Sequence, residues 1–103
     1  MKKILIALSV LVCLFSFSVG FAAEDGAALF KTRCQSCHGA DGSKIPPGSA
    51  AAIKGQNSAD MLKALEGYRD GTFGGARKHV MVNIVKRLSD EQMKSVSDFS
   101  ATL

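Results

Sequence analysis

Five consecutive residues, Cys34-Gln35-Ser36-Cys37-His38, could do chemistry together. The run has the C-x-x-C-H spacing of a c-type haem attachment site. On a helical turn, residues three and four apart share one face, so Cys34, Cys37 and His38 can all address one flat macrocycle. Two thiols can add to the two vinyl groups as thioethers, and the imidazole can reach the iron. Two other chemistries use part of this pattern. A redox-active dithiol needs a βαβ setting, and no β-branched strand runs flank the motif. A closed structural zinc site needs four ligands, and beyond the motif the chain adds only His79 and the early Cys13.

One imidazole leaves the iron with a sixth position. What fills it separates catalysis or gas binding from electron transfer. The candidates beyond the first segment are Met61, Met81, Met93 and His79. Met61 and Met93 fall on helical apolar stripes, which suits core packing. Met81 follows a glycine-rich stretch and precedes a capped helix, and His79 stands two residues before it.

The elements that must position these groups read as helices. Asp25 is a suitable N-cap for a helix from about Gly26 to Cys37, with Ala27, Phe30 and Cys34 on one face. Gly39 and Gly42 end it. Ser43 to Asn57 lacks periodicity and carries the stiff Ile45-Pro46-Pro47-Gly48 turn. The carbonyls of Pro46 and Pro47 are candidate acceptors for the second ring N–H of His38, the kind of bond that fixes a ligating imidazole. Ser58 is expected to cap a helix to about Arg69, with Met61, Leu62, Leu65 and Tyr68 as its apolar stripe. Gly67, Gly71, Gly74 and Gly75 suggest a close backbone approach, with a haem edge as one candidate. Pro47, Tyr68 and Phe73 are the expected haem contacts. Arg77 to Leu88 is partly helical. Ser89-Asp90-Glu91-Gln92 is a capping box, followed by Met93, Val96, Phe99 and Leu103 at helical spacing. The fold class is therefore all-α.

The chain has 103 residues and a formal charge of +4. Lys2 and Lys3 precede an uncharged, mostly apolar run from Ile4 to Phe21, and Gly20-Phe21-Ala22 offers small residues where a signal peptidase acts. The expected division is a cleaved signal peptide at 1–22 and one domain at 23–103. An uncleaved anchor is the alternative, since the run sits near the lower limit of spanning length. Without Lys2 and Lys3, eleven basic residues face nine acidic ones, and two haem propionates would bring the balance near zero. Nucleic-acid binding is not expected. Only Cys34 and Cys37 remain after cleavage, so there is no disulfide framework despite an oxidising compartment. A chain of about 81 residues has a marginal core, and a covalently held apolar porphyrin would fill it.

These stretches together resemble a class I cytochrome c, most closely the small bacterial c-553 type. The resemblance rests on Asp25 to Lys31, Cys34 to Lys44, Lys54-Gly55-Gln56, Gly67-Tyr68, Gly74-Gly75, Arg77-Lys78, Met81 and Ser89-Asp90-Glu91, and covers essentially the whole of 23–103. It implies about four helices wrapped around one haem c. By position, Cys34 and Cys37 carry the thioethers, and His38 and Met81 are the axial ligands. Some relatives have a second methionine where Val80 stands here. The implied function is a periplasmic, monomeric, non-enzymatic electron carrier. Its partners would be redox proteins, such as a periplasmic dehydrogenase as donor and an oxidase or reductase as acceptor, with no membrane contact after cleavage. Lys44, Lys54, Lys78 and Lys86 are candidates for a basic docking rim. The competing readings are a peroxidase or gas sensor with an open sixth site, and a c-type subunit of a membrane oxidase or dehydrogenase.

Overall fold

The computed structural model describes residues 25–103, all helix and loop. The segment 1–22, expected to be a signal peptide, lies outside the described residues. A first helical run comprises α1 (Gly26–Leu29), a π turn (Phe30–Cys34) and α2 (Gln35–His38). Then come α3 (Ser58–Asp70), α4 (His79–Val85) and α5 (Asp90–Ser100). This is the all-α class expected.

Asp25 starts the first run as expected, its carboxylate accepting from the Ala27 N–H at 3.2 Å. The single α-helix expected here is instead widened in its middle. The Gln35 N–H reaches back to the Phe30 carbonyl, the five-residue spacing of a π turn. Thr32 contributes, because its hydroxyl donates to the Ala28 carbonyl at 2.9 Å, a back-bond that bends helices. The extra residue shifts the phase of the run. Leu29 and Phe30 both become buried at 1% exposure, while Cys34 still faces an internal cavity.

Two other starts can be compared with expectation. The cap of α3 is Asn57, whose side-chain oxygen accepts from the Asp60 N–H at 2.8 Å. Ser58 is the first helical residue, and its hydroxyl bonds to Asp98 of α5 instead. At α5 the capping box forms in full. The Gln92 N–H donates to Ser89 Oγ at 3.1 Å and the Ser89 N–H to Gln92 Oε1 at 2.9 Å.

Helix α1 packs against α5, and α3 packs against both α5 and α4. The core between them holds Leu29, Phe30, Val85, Leu88, Met93 and Val96. The rings of Phe30 and Phe99 tilt against each other at 5.6 Å between centroids. An ion pair from Arg69 to Asp90 ties the end of α3 to the start of α5. Burial of this kind stabilises by roughly 25 cal/mol per Å² of apolar surface, yet the helices do not close over the middle of the molecule. They leave a cavity.

Candidate functional site

The cavity holds about 180 Å³, and about 880 Å³ when its open mouth is included. Its wall draws on every helical run among the described residues and on loops between them. The first run supplies Cys34 and His38, and the 43–57 loop supplies Ile53. Met61, Leu65 and Tyr68 come from α3, Phe73 from the loop after it, Met81 from α4, and Val96 and Ser97 from α5. Most of this wall is apolar, as ligand pockets are.

Five of the seven expected site residues thus meet here: Cys34, His38, Tyr68, Phe73 and Met81. Cys37 does not line the cavity. It is exposed on the turn that ends at Gly39. Pro47 is exposed and outside the lining as well. The reason is the turn it forms. The Ser49 N–H donates to the Pro46 carbonyl at 3.0 Å, with Pro47 at the corner and Gly48 next at φ 84°, the pattern of a type II turn. The Pro46 carbonyl thus closes its own turn, and His38 Nδ1, though buried, has no hydrogen-bond partner. The bond expected from His38 to Pro46 or Pro47 is not formed.

Electrostatics favour neutral groups at this wall. Burial pushes the Cys34 thiol up to about 11, only partly offset by the Arg33 guanidinium, with Cys37 adding to the rise. A protonated thiol is a poor nucleophile for disulfide exchange, which argues against a working dithiol. Burial lowers the His38 pKa, favouring the neutral imidazole, the form that ligates metals. Among the described residues no three His, Cys, Asp or Glu side chains converge as a metal cluster.

The two rivals for the sixth position separate clearly. His79 is exposed and lines a shallow outer groove with Thr32, Arg33, Val80, Asn83, Ile84 and Arg87. Met81, two residues on, is turned to the cavity. Met93 is fully buried in the core, as its stripe suggested. Met61 departs from expectation: it is buried, but on the cavity wall instead of in the core cluster. The stripe on α3 is wide, and Leu62 takes the core side while Met61 takes the other.

The glycines in and after α3 serve this wall indirectly. A Cβ on Gly67 would stand 2.7 Å from Phe73 Cβ, and one on Gly74 would stand 2.6 Å from Tyr68 Cε1. The close approach inferred from glycine density is therefore the 71–78 segment folding back onto α3. It sets Phe73 edge-on to Tyr68, with ring centroids 4.9 Å apart. Arg33, expected to point away from the thiol face, lines both this cavity and the outer groove, and Arg87 lines the groove. Of the four lysines considered as a rim, Lys54 pairs with Asp41 at 3.4 Å and Lys78 Nζ donates to the Gly71 carbonyl at 3.0 Å.

An apolar cavity bordered by a neutral thiol, a buried imidazole with an unpartnered nitrogen and a thioether fits a haem held through Cys34 and Cys37. Known proteins agree. The Cytochrome c family model matches residues 23–103. The chain is 50% identical over 104 residues to a cytochrome c-553 of Nitratidesulfovibrio vulgaris, covering all of both chains. It is 38% identical over 77 residues to the cytochrome c-553 of Desulfomicrobium norvegicum, covering 75% of this chain and 94% of that one. It is 31% identical over 103 residues to the cytochrome c-553 of Helicobacter pylori, covering 100% and 99%. The chain therefore belongs to the cytochrome c family, as a class I monohaem electron-transfer cytochrome of the c-553 type with covalently bound haem c.

Proposed function

We propose that the protein is a periplasmic one-electron carrier whose haem iron is held between His38 and Met81. The observation that carries this reading is the meeting of Cys34, His38 and Met81, from two separate elements, on the wall of one apolar cavity. When bound, haem c supplies the iron couple that accepts and releases one electron. The chain's own residues do the rest. Cys34 and Cys37 hold the group covalently, so it is not lost between partners. His38 ligates in its neutral form, which its burial favours. Met81 offers a neutral thioether, which raises the potential relative to bis-histidine ligation. Ile53, Leu65, Tyr68 and Phe73 give the cavity an apolar lining. Two permanent side-chain ligands leave no site for a substrate on the metal, so the role is transfer and not catalysis.

The export half of the proposal rests on the sequence at 1–22: a basic start, an uncharged apolar run and small residues at Gly20 and Ala22. Among the described residues no helix is long and apolar enough to cross a membrane. The partners are redox proteins met briefly through small interfaces, a dehydrogenase-type donor and an oxidase- or reductase-type acceptor, with the protein itself a monomer. Mass spectrometry and optical spectra of the protein purified from a periplasmic extract test both halves. The expected result is a chain beginning at Ala23, carrying one haem and low-spin in both oxidation states. A five-coordinate, high-spin spectrum would replace this reading with a gas-binding or peroxidase one. A retained residue 1–22 segment in the membrane fraction would replace it with an anchored subunit.

A further inference from the structure

Two serines on α5, Ser97 and Ser100, are buried side by side in sequence register on the cavity wall, at 1% and 5% exposure. Their hydroxyls behave differently. Ser100 Oγ donates to the Val96 carbonyl four residues back, at 2.6 Å. Ser97 Oγ has no hydrogen-bond partner at all. A helical serine can ordinarily be satisfied by the carbonyl four residues before it, and a buried hydroxyl without a partner costs free energy. Ser97 is one of two such side-chain atoms among the described residues, the other being His38 Nδ1 on the same wall. With Ser97 in the lining stand the apolar Val96, Ala64, Leu65, Met61 and Met81, while the polar members of the wall include Arg33, Ser49 and Gln56.

An unpartnered hydroxyl is a dipole free to turn. Beside a centre whose charge changes by one unit, it turns its oxygen toward the more positive state and stabilises that state. Low polarity around it makes this interaction stronger than in water. Burial, local dielectric and hydrogen bonding around a haem are levers on its potential. We propose that Ser97 is a potential-setting residue: its hydroxyl favours the oxidised form and holds the reduction potential below that of an all-apolar wall. This rests on the reading that the cavity holds the haem. It is a claim about Ser97 alone and does not depend on which side chain is the sixth ligand.

The test is a spectroelectrochemical titration of the holoprotein and of Ser97→Ala and Ser97→Thr, with oxidised-state spectra recorded alongside. Ser97→Ala removes the dipole with little change of shape, while Ser97→Thr keeps it and adds a methyl group. The expected result is a shift of the Ala variant toward the reduced form by roughly threefold at fixed potential, about 28 mV for one electron. The Thr variant is expected to stay closer to the parent. An Ala potential equal to or below the parent's overturns the proposal, and so does a Thr variant that rises as far as the Ala variant, since packing would then be the cause. The spectra keep the two readings apart. A parent protein without a methionine–iron band counts against Met81 ligation, while the difference between parent and Ala potentials still decides the role of Ser97.

Discussion

Gly26 and Ser95 touch so closely that a Cβ placed on Gly26 would stand 2.2 Å from the Ser95 carbonyl oxygen and 2.7 Å from its carbon. The backbone of α1 rests on the backbone of α5 at this point. A flexible side chain could move aside, but a helix carbonyl cannot. Gly26→Ala should force α1 and α5 apart and destabilise the protein by about 1–3 kcal/mol or more. For a domain of this size, each kcal/mol lowers Tm by about 4–8 °C. Thermal unfolding of the holoprotein checks this. An unchanged Tm would mean that the two helices do not meet as described.

Loss of the haem should leave little fold behind. The helices alone leave an apolar cavity of about 180 Å³ at their centre, and a domain this small has little other core to hold it together. The double variant Cys34→Ala, Cys37→Ala should release its haem to acidified acetone, and its apoprotein should lack a near-ultraviolet circular dichroism signal. A well-folded apoprotein would contradict the view that the porphyrin completes the core.

Acid sensitivity should centre on the turn after the haem motif. The Asp41 carboxyl is held down to about 2, chiefly by hydrogen bonds from Ser43 and then by the Lys54 charge. A group whose folded pKa is depressed contributes stability above its unfolded pKa and loses it as pH falls through the folded value. For Asp41 the window runs from about pH 4 down to about 2. Asp98, lowered by Ser58 and Lys94, acts in the same sense. Asp41→Asn should flatten part of the fall in Tm between pH 5 and pH 2. A parallel profile would show that Asp41 does not contribute.

Docking should depend only weakly on lysine. All four lysines considered as a rim, Lys44, Lys54, Lys78 and Lys86, are exposed, but Lys54 is paired with Asp41 and Lys78 Nζ is tied to the Gly71 carbonyl. Electron transfer to an acidic redox protein should slow modestly as ionic strength rises, since screening acts over roughly 10 Å at 0.1 M salt. Lys86→Gln should reduce that slope. Rates independent of salt would remove the electrostatic contribution.

Local chemistry was legible in the sequence, and the disposition of faces was not. The Asp25 cap and the Ser89–Gln92 capping box depend on residues within a few positions of one another, and both took their expected local form, whereas the haem motif turns Cys34 and His38 to the cavity and leaves Cys37 exposed off its wall. The π turn at Phe30–Cys34 was hidden, because Thr32 back-bonding and the packing of Leu29 together decide it. Ser58 and Asn57 are both good caps in isolation. Only the neighbouring Asp98 shows why Ser58 is drawn inside the helix. The α3 stripe announced an apolar face without saying that it would be split between core and cavity, so Met61 was read as core. The same limit hid Ser97, since a serine on a helix carries no mark of which face it occupies.

Ligation by Met81 is tested by the methionine–iron charge-transfer band of the oxidised holoprotein, compared across Met81→Ala, Met61→Leu and His79→Ala. Met61 belongs in the set because it shares the cavity wall, and His79 because it is the only other histidine beyond the motif. Met81→Ala is expected to lose the band, lower the potential and open the iron to small ligands, while the haem stays covalently attached and the other two variants keep the band. Loss of the band in Met61→Leu with retention in Met81→Ala would move the ligand to α3. Loss of native ligation in His79→Ala alone would replace the account with a bis-histidine one.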